Sequence, residues 1–200
     1  LQKGALVGAG NLRLGAFTLH DLVSYGNHEV GVIVRIDSGM LLVLDVAGTT
    51  LTRGATQTAK IGTTIGNIGL EGLCYDPQTS GATPGFLVVK EMTPKGIFQT
   101  NVDFTAGTAT NGSPSTVNST DLFAPTLLSV VDHSDVFSLA NLPALSGKPA
   151  SSHALIISQE SGQVVHFDRS GATSSTLTIT KDVADTLSVA ALTLEGVTMD

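Results

Sequence analysis

The chain has 200 residues, 42 % of them hydrophobic, which is enough apolar material for a core at this length. Only 14 % are charged, the formal net charge is −7, and the ten Lys and Arg residues are scattered, which argues against a nucleic-acid partner because phosphate binding needs clustered cations. Cationic or neutral ligands fit this balance better.

In chain order, the first expected element is a strand, Asp21-Leu22-Val23-Ser24-Tyr25-Gly26. A hairpin follows at 33–45, in which an aliphatic strand ends on Asp37, Ser38-Gly39 makes a two-residue turn, and a second strand runs out to Asp45. Leu70-Glu71-Gly72-Leu73-Cys74-Tyr75-Asp76 is the next strand. It precedes a second hairpin, Phe86-Leu87-Val88-Val89-Lys90-Glu91 and Ile97-Phe98-Gln99-Thr100-Asn101-Val102-Asp103, joined by the longer turn Met92-Thr93-Pro94-Lys95-Gly96. The polar, turn-rich stretch 105–121 reads as a long inter-strand loop containing two glycosylation-like triplets, Asn111-Gly112-Ser113 and Asn118-Ser119-Thr120. Ser134-Asp135-Val136-Phe137-Ser138-Leu139 opens a third set, 142–149 reads as a surface insertion, and the hairpin at 156–168 aligns without gaps on the one at 33–45. The chain closes on Leu194-Glu195-Gly196-Val197-Thr198-Met199-Asp200, which repeats the pattern of 70–76.

A leading strand followed by a hairpin, recurring in this way, is the signature of a repeat protein. Units of this length with three or four short strands, frequent turn signals and no helical period are expected to be β-propeller blades. A β-sandwich ranks second, because it gives no reason for an acid to recur at matched strand ends. The expected fold is all-β: a single partial β-propeller domain over 1–200, with units at 19–65, 66–130 and 131–190 and the first strand of a fourth at 191–200. Closed propellers use about four to eight blades. A chain that starts at Leu1 and stops inside a motif therefore reads as a fragment.

In a propeller the first strand of each blade lines the central channel, so Glu71 and Glu195, with Asp135 and Asp21 at weaker copies, are expected to converge there. Asp37, Glu91 and Glu160 recur at the ends of the hairpins' first strands. Carboxylates brought together raise one another's pKa unless a cation neutralises them. Calcium is the natural cation, since it takes six to eight oxygens in irregular geometry. The candidate metal ligands are Glu71, Glu91, Glu160 and Glu195, with Asp135 and Asp37 behind them. The competing reading is that these acids cap strand ends and bond backbone amides of the neighbouring blade. Asp76, Asp200, Asp45, Asp103 and Asp168 each precede a turn and are read as turn formers.

No Gly-x-Ser-x-Gly elbow, phosphate loop, zinc-type cysteine pair or EF-hand loop is present, and His28-Glu29 lacks the second histidine of a zincin motif, position 32 being Val. His166 reads as a surface or groove residue of a strand, and His133 as a channel-mouth candidate. Cys74, the single cysteine, excludes an internal disulfide and reads as a buried thiol. No apolar run reaches the ~18 residues that span a bilayer. Leu1-Gln2-Lys3-Gly4 also lacks the charged lead of a signal core.

The segments 68–77, 88–91 with 94–100, 158–162 and 194–200 together resemble the SdiA-regulated (YjiK-like) bacterial β-propellers, which are similar to the esterase-like phytase propellers. The resemblance implies an exported or membrane-associated bacterial protein, periplasmic, secreted or otherwise extracytoplasmic, with a channel-facing cation site. Glu71, Glu195, Glu91 and Glu160 are the positions that match, and no catalytic residue transfers. Two functions stay open: a calcium-stabilised binding or scaffold module that takes a small-molecule or metal ligand in the channel, and a metal-dependent hydrolase of phosphate esters, esters or lactones. The hydrolase needs cations to hold phosphate, for which only Lys90, Lys95 and Arg35 lie near the motif strands.

Overall fold

The computed structural model describes residues 12–14, 17–25, 28–35, 38–47, 50–60, 102–103 and 108–109 as backbone in strands. Residues 70–78, 83, 85–92, 94–101 and 120–179 are described together with their side chains.

All described regular structure is extended apart from short 3-10 turns. Strands β1 (Leu12–Leu14), β2 (Phe17–Tyr25), β3 (His28–Arg35), β4 (Ser38–Ala47) and β5 (Thr50–Lys60) form one antiparallel meander in sequence order. Strands β6 (Leu70–Tyr75), β7 (Gly85–Lys90), β8 (Gly96–Asp103) and β9 (Thr108–Ala109) form a second. Strands β10 (Asp135–Ser138), β11 (Ala154–Ser158), β12 (Gln163–Phe167) and β13 (Thr173–Thr178) form a third. These sequential meanders are propeller blades, called blades I, II and III below.

The alternation of apolar residues explains the register. In β11 and β12, Ala154, Ile156, Val165 and Phe167 share one face because side chains two apart point the same way. They pack with Val136 against Cys74, Leu87, Val89 and Ile97 of blade II, and Leu128 and Val130 fill the seam between the blades. The core is therefore an interface between blades. Strand β7 is buried along its whole length, as befits an interior strand covered on both faces, whereas β13 is exposed along its whole length.

Several local expectations change. Ser38 and Gly39 are not the turn of the first hairpin, because they pair with Arg35 and Val34 inside the ladder. Residues 36–37 lie outside the described residues. In the third hairpin Ser158 pairs with Gln163, so the turn spans the four residues 159–162 rather than Ser161-Gly162 alone. Within the stretch 105–121, Thr108 and Ala109 pair with Asp103 and Val102 and supply the blade's outer strand. The insertion at 142–149 is a chain of tight turns, including 3-10 turns at Pro143–Leu145 and Pro149–Ser152, with Leu142 tucked inward. The strand expected at 191–200 lies outside the described residues, as do the glycosylation-like triplets at 111–113 and 118–120, apart from Thr120.

Candidate functional site

Strands β6 and β10 start where their partners β7 and β11 finish, since Leu70 pairs with Lys90 and Asp135 with Ile157. One end of each blade therefore collects the recurrent acids. Glu71 is half-buried at a bulge, the register shifting between Leu70 and Gly72. Glu91 follows the last residue of β7. Asp135 opens β10, buried, and its Oδ1 accepts the Val136 amide at 2.8 Å. Glu160 lies exposed in the turn after β11.

The glycine of Leu-Glu-Gly is what lets the two blades meet at this end. A Cβ on Gly72 would stand 2.5 Å from the Asp135 Cα, 2.8 Å from Asp135 Oδ1 and 2.8 Å from Val89 Cγ2. Only a residue without a side chain permits that approach. The His133 amide donates to the Glu91 carbonyl at 3.1 Å and ties the two strand ends together.

Proximity of strand ends does not make a metal cage here. Among the described residues no three His, Cys, Asp or Glu side chains gather as a cation site, so Glu71, Glu91, Asp135 and Glu160 do not by themselves fit calcium, which wants six to eight oxygens. Asp37 and Glu195 lie outside the described residues.

Two other aspartates carry the polar architecture. Asp76 is fully buried at the end of β6. Its Oδ1 accepts the Gln78 amide at 3.3 Å, which is the expected turn, but that bond is the weakest of its set. Oδ1 also accepts Ser138 Oγ at 2.8 Å and Arg169 Nη2 at 2.8 Å, while Oδ2 accepts Arg169 Nη1 at 2.7 Å and Gln99 Nε2 at 3.1 Å. Arg169 and Ser138 belong to blade III, so this carboxylate clamps two blades with a two-pronged ion pair. Asn141 adds a parallel tie, its Nδ2 donating to the Tyr75 carbonyl at 2.8 Å.

Asp132, just ahead of β10, is the second. Its Oδ1 accepts Ser158 Oγ and, at 3.0 Å, the Glu160 amide; its Oδ2 accepts Ser134 Oγ at 2.7 Å and the Gln159 amide at 3.2 Å. These bonds widen the β11–β12 turn to four residues and place Glu160 in it. Asp168 is the turn former expected of it. Its Oδ1 accepts the Ser170 amide and hydroxyl and the Ala172 amide, which hold its carboxyl below the ordinary range.

The basic residues near this end are committed to backbone. Lys90 Nζ donates to the Met92 and Pro94 carbonyls, both at 2.8 Å, and Lys95 Nζ donates to the carbonyls of Leu128 and Val130. Burial lowers the pKa of both ammonium groups. They close loops rather than stand free to hold phosphate. Asp121 accepts the Ile97 amide at 2.7 Å, and its burial raises its carboxyl.

His133 is not at an open channel mouth. It is fully buried between the blades, its Nδ1 donating to the Gly96 carbonyl at 3.1 Å, while its Nε2 has no partner among the described residues. Burial, reinforced by the Lys95 charge, pushes its pKa down to about 4. Cys74 is the inert thiol expected, buried, with its pKa raised by burial and by Asp76.

Sequential antiparallel meanders of four or five strands, with blades II and III sharing an interfacial core and β6 beside β10, define a β-propeller protein. The family model for SdiA-regulated proteins matches residues 3–200, and the chain belongs to that family. No curated protein matches the chain. No helix among the described residues is long and apolar enough to cross a membrane.

Proposed function

We propose that this SdiA-regulated propeller is an extracytoplasmic binding or scaffold module, its ligand a cation or a small molecule received at the acid-bearing end of the blades. The observation that carries this reading is the use of the buried carboxylates. Asp76 and Asp132 are saturated by protein donors and fix one blade to the next and one turn to its sheet, so the loop ends bearing Glu91 and Glu160 are presented on a stiff frame. Rigid display of loops suits recognition. Lys90, which precedes Glu91, and Lys95 serve the same frame.

Calcium belongs to this proposal as a ligand of the full set of Glu71, Glu91, Asp135 and Glu160 with Asp37 and Glu195, not of the four described acids alone. The test is a calcium titration of the protein by calorimetry and thermal melting, with Glu71→Gln and Glu195→Gln as controls, and a phosphomonoester and lactone turnover screen on the same samples. Binding that raises the melting temperature and disappears in both variants, without turnover, is the expected result. Calcium-dependent turnover lost in the variants would replace the module with a metal-dependent hydrolase. Absence of any binding would leave the glutamates as residues that set blade register.

A further inference from the structure

The face of blade III turned away from blade II carries a pair of imidazoles that the framework does not use. His166 lies in β12 opposite Leu155, and His153 comes two residues before Leu155, so strand alternation puts both rings on one face. Their nitrogens meet: His153 Nδ1 stands 2.8 Å from His166 Nε2, with ring centroids 4.9 Å apart and planes inclined by 45°. On the far side of His166, Nδ1 faces Ser175 Oγ at 3.4 Å, Ser175 being its cross-strand partner in β13. Both histidines are half-buried. His153 sits before the start of β11, whereas Glu160 follows its end, so this pair is at the other end of the sheet from the recurrent acids.

We propose that His153 Nδ1 and His166 Nε2 are paired ligands for a divalent d-block ion of the zinc, nickel or copper type. Two neutral imidazoles facing each other through ring nitrogens share one proton and leave one of two lone pairs to accept it. A metal ion uses both lone pairs once His153 changes tautomer, giving its Nδ1 proton to solvent and taking one up at Nε2, so that both rings stay neutral. At a zinc–nitrogen distance of about 2.0–2.1 Å, two nitrogens on one tetrahedral ion stand roughly 3.3 Å apart. The pair therefore opens by about half an ångström on loading, a small rotation for half-exposed side chains. Imidazole nitrogen suits these ions and not calcium, which separates this site chemically from the acids at the other end.

Ser175 gives His166 an outer partner in the tautomer that metal binding needs. When His166 donates from Nδ1 to Ser175 Oγ, its Nε2 carries the lone pair and faces His153; an outer hydrogen bond of this kind orients most metal-bound histidines. Water completes the coordination of an open site of this type. Ser175 is a positioning residue, acting through His166.

The test is a zinc titration of the purified protein by calorimetry, with the imidazole proton resonances followed in parallel. His153→Gln, His166→Gln and Ser175→Ala are the comparison set, and circular dichroism checks that each folds. One ion per chain is expected, shifting the resonances of both rings, with binding lost in each histidine variant. Ser175→Ala weakens it by roughly ten-fold, in the range of outer-shell changes. Retained affinity in either folded histidine variant, no zinc binding at all, or one ion per two chains with dimer formation would each overturn the intrachain pair.

Discussion

Arg169, in the turn after β12, sends both terminal nitrogens onto the Asp76 carboxylate at the end of β6, at 2.7 and 2.8 Å, joining residues 93 apart in sequence. The carboxylate is completely buried and the guanidinium side chain 21 % exposed. Its Nε also donates to the Ser152 carbonyl at 2.7 Å, so the side chain is held along its length. Removing the cation leaves a buried charge beside the neutral donors Ser138, Gln99 and the Gln78 amide. Such a break costs about 3–5 kcal/mol, more than the net worth of the intact pair. Arg169→Ala is expected to destabilise the protein by that order in urea unfolding. Arg169→Lys recovers part of it, because a single ammonium cannot reproduce the fork. In a double-mutant cycle with Asp76→Asn, the two losses should fall well short of additive. Additive losses would show that the residues do not depend on each other.

Gly72 predicts a steric effect, with no conformational component. It is not among the positive-φ glycines, so its need is room. An alanine there must push on the Asp135 backbone, which cannot swing aside as a flexible side chain could. Gly72→Ala should cost about 1–3 kcal/mol, the range of overpacked cores. Gly147 is the opposite case, with φ of 73° and nothing within 4 Å of its Cβ position. Gly147→Ala should cost about 1–2 kcal/mol through left-handed backbone strain alone. The two are separable by amide exchange: Gly72→Ala should loosen β6 and β10, and Gly147→Ala only its own turn.

How much of this was legible in the sequence depends on the range of the interaction. The hairpins around 86–103 and 156–168 show in the alternation of Val, Ile and Phe with smaller residues, because strand pairing is local and has a period of two. The Leu-Glu-Gly repeat was visible too, but it drew attention to the glutamate, and the close contact lies at the neighbouring glycine. The Asp76–Arg169 clamp and the Asp132 network left no local signal. Asp76 carries ordinary turn chemistry with Pro77 after it, and Arg169 lies in a polar turn, so nothing short of the blade packing links them. Asp132 sits in an irregular segment between blades, where neither period nor motif applies. The turn at 159–162 departs from the local Ser-Gly pattern for the same reason: the Asp132 carboxylate, a non-local partner, reshapes it.

Asp132 makes a prediction that exchange measurements read directly. Its carboxylate accepts the Gln159 and Glu160 amides and the hydroxyls of Ser134 and Ser158. Asp132→Ala strands these donors in a partly buried site, and losing several hydrogen bonds to a charged group costs on the order of 3 kcal/mol. The Gln159 and Glu160 amides should exchange markedly faster in the variant while the β12 amides stay protected. Equal acceleration across blade III would mean that Asp132 supports the whole sheet and not the turn.

His133 gives the fold a defined acid sensitivity. Its pKa is about 4 in the folded protein against an ordinary value of 6.5, so the folded state holds the ring neutral while the unfolded chain takes up a proton first. A folded pKa below the unfolded one means that the unfolded state binds more protons as pH falls, and stability drops through that window. The loss should begin near pH 6.5, run to about pH 4, and amount to roughly 3 kcal/mol at 1.36 kcal/mol per pKa unit. His133→Asn keeps a donor in the position of Nδ1 for the Gly96 carbonyl but cannot titrate. Its stability at neutral pH should be somewhat lower, from lost packing volume, yet its decline between pH 6.5 and 4 should be shallower by about the same 3 kcal/mol. Denaturant unfolding of both proteins across that range checks the slope, and parallel curves would place the acid sensitivity elsewhere in the chain.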